Sequence, residues 1–140
     1  MDEGERLDRI TSDVIGCAIK VHKELGPGLL ESAYEACLVY ELVDHGWRIE
    51  RQRPLPVRYR QVELECGYRL DLVVEEQVIV EVKSVESLLP IHKAQLLSYL
   101  KLAGCRVGLL INFNVRVLKE GLTRVANDFP ETRRSPRSRR

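Results

Sequence analysis

The sequence predicts an α/β fold, a mixed central sheet flanked by helices. Three observations point there: two N-terminal stretches with helical periodicity, a clean β-hairpin in mid-chain, and a helix followed by an apolar strand after it. With 140 residues, 44% hydrophobic and 31% charged, the chain is sized for one domain with a real core, expected over residues 1–128.

The first helix is expected from Leu7 to Leu25, where Leu7, Ile10, Val14, Cys17, Val21 and Leu25 recur at spacings of three and four. Gly26-Pro27-Gly28 breaks it. Leu30, Tyr34, Cys37, Leu38 and Leu42 resume the helical spacing, and Gly46 is placed to supply a left-handed end. Three short strands follow, Trp47 to Arg53, Leu55 to Tyr59 and Val62 to Cys66, and Pro54 and Pro56 put them near a sheet edge. Tyr68 to Val74 and Val78 to Lys83 then alternate about the polar turn Glu75-Glu76-Gln77, which is a β-hairpin.

Pro90 opens a third helix that runs to Ala103 and stops at Gly104, with Ile91, Ala94, Leu96, Leu97 and Leu100 as its expected core face. Arg106 to Phe113 is a strand. Arg116 to Val125 adds an edge strand or a terminal helix. The tail, residues 129–140, holds five Arg against one Glu and has little to bury, so disorder is expected there.

Composition excludes several classes. The net charge is +1, and 17 basic against 20 acidic residues precede the tail, so a globally basic nucleic-acid binder is not supported. Any attraction for phosphate must come from a local patch or from the tail. Cys17, Cys37, Cys66 and Cys105 form no C-x-x-C pair, which indicates neither a zinc site nor a disulfide framework. They read as small buried apolar residues. No apolar run nears the roughly 18 residues of a membrane span, and Met1 to Arg6 is polar rather than an export signal, so a cytoplasmic protein is expected.

The hairpin carries the chemistry. Leu70, Leu72 and Val74 alternate onto one face of its first strand, and Val78, Val80 and Val82 onto one face of the second. The two apolar faces must coincide. A turn centred on Glu76 makes partner numbers sum to about 152, pairing Leu70 with Val82 and Leu72 with Val80 and setting Asp71 opposite Glu81. Any even sum keeps Asp71, Glu81 and Lys83 together on the other face. Opposed carboxylates repel at that range, so something positive belongs between them. Lys83 contributes, and two convergent carboxylates also suit a hard cation such as Mg2+ or Mn2+. The competing reading is a solvated face of ordinary charges, but Val78 to Ser84 reads as a core strand, where charge needs a reason.

Asp71 followed by Glu81-Val82-Lys83 on adjacent strands resembles the PD-(D/E)xK nuclease superfamily, with Leu70 where the motif's Pro would stand. Gly28-Leu29-Leu30-Glu31-Ser32-Ala33-Tyr34 matches the motif that names the GxxExxY family, and Val21 to Gly28 and Leu109 to Phe113 are similar to it as well. The resemblance implies a restriction-endonuclease-like αβββαβ core and hydrolysis of a nucleic-acid phosphodiester, DNA before RNA, with Mg2+ or Mn2+. It implies a catalytic set of Asp71, Glu81, Lys83, Glu31 and Gln95, with Asp71, Glu81, the Val82 carbonyl, Glu31 and His22 toward the metal. Gln95-x-x-x-Tyr99 looks like the helical motif of RecB-type domains, which implies that Gln95 and Tyr99 hold nucleic acid from one helix face.

Each candidate has a structural alternative. Glu31 in the first turn of a helix is favourable there without chemistry, Gln95 and Tyr99 suit the polar margin of an amphipathic helix, and Tyr34 reads as a packing residue. Two further readings stand beside the enzyme: a catalytically silent module that binds nucleic acid or a protein partner, and a resolvase-like homodimer, which an exposed apolar patch on the first or second helix would support.

Overall fold

The computed structural model describes residues 1–130; the expected disorder of the basic tail falls, from Glu131 onward, outside the described residues. In chain order the elements are α1 (Glu3–Leu25), α2 (Glu31–Asp44), β1 (Ile49–Tyr59), β2 (Val62–Val74), β3 (Val78–Lys83), α3 (Pro90–Ala103), β4 (Val107–Asn112), a 3-10 turn (Leu118–Gly121) and β5 (Leu122–Ala126). Asp2 caps α1 reciprocally with Glu5, and Gly104, at φ 74 and ψ 26, ends α3 in the left-handed region.

The strands lie side by side in the order β1-β2-β3-β4-β5. Only β3 and β4 are parallel, joined through α3, and the other neighbours are antiparallel. This is the expected mixed sheet, with α1 ahead of an αβββαβ series and β5 added at its edge. Arg116 to Val125 therefore resolves into the 3-10 turn and an edge strand.

Two cores sandwich the sheet. Leu72, Val74, Val78, Val80, Val82, Leu109 and Ile111 meet α1 and α2 on one face. Val73, Ile79 and Leu110 meet Leu96, Tyr99 and Leu100 of α3 on the other. Because β3 is buried on both faces, it reads as a near-continuous apolar run and its one buried acid stands out.

Several local expectations change. The short strands merge: Trp47–Arg53 and Leu55–Tyr59 become β1, while Val62–Cys66 and Tyr68–Val74 become β2. The prolines do not interrupt β1 because it is an edge strand, and Pro56 falls in the bulge between Leu55 and Val57. On α3, Ile91 and Ala94 are exposed and Leu97 only half-buried, whereas Tyr99 is buried. Apolar residues nearly encircle this helix, so packing rather than periodicity chooses its face. Of the cysteines, Cys17 and Cys105 are buried as expected, but Cys37 is half-buried and Cys66 is exposed on the outer part of β2. Phe129 packs on the core beneath the Arg124 guanidinium, 4.5 Å from its ring centre.

Candidate active site

The β2–β3 register agrees with the parity argument over its inner half: Leu72 pairs with Val80, Val73 with Ile79 and Val74 with Val78. The pairing then stops. Leu70 does not meet Val82 but joins the α3-side core, against the expectation that it shares a face with Leu72. The two strands fork, and carboxylates occupy the gap. The Asp71 N–H donates to Glu81 Oε2 at 2.9 Å, and the Val82 N–H donates to Asp71 Oδ2 at 2.9 Å. Each acid thus takes a backbone donor that a continuous ladder would have used, so the fork leaves these amides satisfied.

Glu81 is 5% exposed. Burial, and next the neighbouring Asp71 charge, push its carboxyl up to about 8, against the pull of the Asp71 N–H and the Lys83 ammonium. Lys83, two residues along β3, shares its face. A buried acid that resists ionisation beside a second acid is a site short of positive charge, and that donor set fits a divalent cation.

The segment from Gly26 to Tyr34 is built against the end of this strand. Tyr34 is fully buried and stacked on Phe113 at 4.5 Å. Its hydroxyl donates to the Gly26 carbonyl at 2.5 Å and accepts the Leu29 N–H at 3.1 Å, which closes the loop. Ser84 docks that loop on β3: its hydroxyl donates to the Leu29 carbonyl at 2.6 Å and its N–H to Glu31 Oε2 at 3.2 Å. The G-x-x-E-x-x-Y spacing therefore has a physical account. Gly28 turns at φ 98, Glu31 reaches the strand end, and Tyr34 latches the loop. From β4, the Asn112 side chain accepts the Val85 N–H and donates to its carbonyl, both at 3.0 Å, fixing the chain as it leaves Lys83.

The expected residues do not all converge. Asp71, Glu81 and Lys83 come together, Glu31 abuts the strand end through Ser84, and Tyr99 of α3 looks onto the pair. Burial, then the Glu81 charge, raises the Tyr99 phenol above its ordinary value. Gln95, one turn earlier, is exposed and hydrogen-bonded to none of them among the described residues. His22 is engaged elsewhere: it is 7% exposed, its Nε2 is 2.8 Å from the Val115 carbonyl, and its ring tilts against Phe113.

Sequence reasoning missed Glu35 and Gln52. Glu35 follows Glu31 by four residues on α2, is 6% exposed, and receives Arg51 Nε at 3.2 Å and Gln52 Nε2 at 2.9 Å. A second acid at that helical spacing was the available signal. A separate group, Asp13, Cys17 and His45, brings three ligand-type atoms within 4.8 Å of one another. Its donors already serve the fold: Asp13 accepts the Trp47 indole N–H, His45 Nδ1 is 2.7 Å from the Glu41 carbonyl, and burial followed by the Asp13 charge pushes the Cys17 thiol up to about 11.

Two carboxylates and a lysine at the forked end of the central hairpin, inside a mixed sheet with helices on both faces, define a restriction-endonuclease-like core. A family model described as the PD-(D/E)XK nuclease superfamily matches residues 8–125, and the chain belongs to that superfamily. No curated protein and no solved structure matches the chain. Among the described residues no helix is long and apolar enough to cross a membrane.

Proposed function

We propose that this protein is a Mg2+- or Mn2+-dependent nuclease that hydrolyses nucleic-acid phosphodiesters, DNA in preference to RNA, and that within its superfamily it is of the GxxExxY type. One observation carries the reading: Asp71 and Glu81 are held side by side, by each other's strand, with Lys83 two residues along β3 and its charge acting on Glu81. Asp71, Glu81 and the Val82 carbonyl hold the cation, with Glu31 adjoining at the end of β3. When bound, the cation supplies Lewis-acid polarisation of the phosphate and a compensating charge for the two acids.

The chain's own residues do the rest. The Lys83 ammonium orients the attacking water and stabilises the negative charge that grows on the phosphoryl oxygens. Tyr99 and Gln95 present a polar edge of α3 to the nucleic acid beside the cleft. The decisive experiment incubates linear, circular and branched DNA and RNA with the protein and Mn2+. Cleavage by wild type and its loss in Lys83→Ala and Glu81→Ala are expected; cleavage unaffected by both substitutions overturns the mechanism. Folded protein that binds these substrates without cutting any of them would favour the silent module.

A homodimer is a second reading. It is favoured by exposed apolar side chains on and beside α2, with Leu30 77%, Tyr40 70% and Val43 55% exposed. Sedimentation equilibrium tests it, and a monomer at all concentrations excludes it.

A further inference from the structure

β1 carries a break that its prolines do not explain. Arg51 pairs with Leu72 and Arg53 with Leu70, yet Gln52 between them makes no ladder pair with Asp71 and sits at φ 50. A non-glycine residue in the left-handed region is strained and persists where its surroundings hold it. Here the side chain supplies the hold. Gln52 Nε2 donates to Glu35 Oε1 at 2.9 Å and to Asp71 Oδ1 at 3.2 Å. A primary amide nitrogen carries two hydrogens, so one nitrogen can serve both acids.

The chemistry of the amide matters. With Val82 N–H on Oδ2 and Gln52 on Oδ1, both oxygens of Asp71 are oriented by neutral donors. A cationic side chain at this point would cancel the charge that a metal needs, and a carboxylate would repel both neighbours. An amide fixes the geometry and leaves the charge in place. Glu35 is anchored in turn by Arg51, so the amide rests on a buried support rather than on solvent.

Resting on the nuclease reading, we propose that Gln52 is a positioning residue: it holds Asp71 in the orientation that receives the divalent cation and couples that acid to Glu35 on α2. It acts through Asp71 rather than on the reacting phosphate. The kink at Gln52 is the backbone conformation that aims the amide between the two acids.

The test measures Mn2+ binding to the full chain by calorimetry, alongside cleavage across a Mn2+ titration and thermal unfolding without metal. Gln52→Met keeps the length of the side chain and removes the donor. Gln52→Gly also removes it but adopts φ 50 freely, so its backbone is not strained. Both are expected to bind Mn2+ about 10- to 100-fold more weakly, with cleavage recovering toward the wild-type rate as Mn2+ is raised, and Gln52→Gly is expected to unfold no earlier than Gln52→Met. Wild-type Mn2+ affinity in either variant overturns the inference, as does a cleavage defect that saturating Mn2+ leaves unchanged. If wild type binds no Mn2+, the metal-dependent reading falls and takes this inference with it; if wild type binds and cuts while the variants match it, only the role of Gln52 falls.

Discussion

The two ends of the β2–β3 hairpin behave oppositely. From Leu72/Val80 to Val74/Val78 the strands pair in register, and their side chains are buried in the cores on both faces. From Asp71/Glu81 outward they separate, and side-chain carboxylates replace backbone carbonyls as acceptors. The closed end maximises burial and ladder bonds. The open end stays buried at Leu70, Glu81 and Val82 but gives up the ladder pairing to hold two acids beside a lysine, which is how a local break in the sheet becomes a site.

Substitutions at the two ends should therefore separate activity from stability. The largest effect is expected at the open end: Lys83→Ala lowers the cleavage rate about a thousandfold, or about 4 kcal/mol of transition-state stabilisation, while its melting temperature stays close to wild type. A parallel collapse in melting temperature would erase the contrast. At the closed end, Leu72→Ala removes a side chain buried against α1 and α2 and is expected to cost about 3 kcal/mol in denaturant unfolding. Its remaining folded fraction should cut at the wild-type rate per molecule.

The pH dependence of stability sharpens the comparison further. Below about 4.5 the Glu81 carboxyl is protonated in both folded and unfolded chains; between there and about 8 the unfolded chain releases the proton and the folded one retains it. The metal-free protein should accordingly lose stability through this site as pH rises across that window, with no further loss above it. Glu81→Gln should remove this component, and equal pH profiles for the two proteins would contradict it. For the same reason Mn2+ binding should tighten as pH rises toward 8, with proton release measurable in buffers of different ionisation enthalpy.

The smallest effect lies in the loop latch. Tyr34→Phe keeps the stacking on Phe113 and loses the hydroxyl bonds to Gly26 and Leu29, for about 1 kcal/mol of stability. Increased hydrogen exchange should be confined to the Gly26–Glu31 loop; protection unchanged there would show that stacking alone closes it.

Much of this was legible in the residues. Alternation in Tyr68–Val74 and Val78–Lys83 fixes strand parity, because a one-residue slip would put charge among the valines. Pro90 and Gly104 bracket α3, and Leu7 to Leu25 spells one helix face. Such signals are local: each depends on a few consecutive residues and the period of one element. The superfamily followed from the order Asp71, Glu81, Lys83 and from the Gly28 to Tyr34 segment, since residue types at fixed spacing survive in the one-dimensional record.

Tertiary structure alone decided where the hairpin opens, that Leu70 crosses to the α3 side, that His22 turns to Val115, and that Glu35 and Gln52 join Asp71. None of these is periodic. Each results from competition among elements distant in sequence: a kink in β1 opposite Asp71, an acid one turn along α2, and backbone N–H groups that donate to a carboxylate because their strand partners have moved away. The amino-acid pattern determined which face Asp71, Glu81 and Lys83 occupy. The packing of α2, β1 and β3 around them determined which side chains orient those acids, because hydrogen bonds between distant segments exist only once the chain has closed.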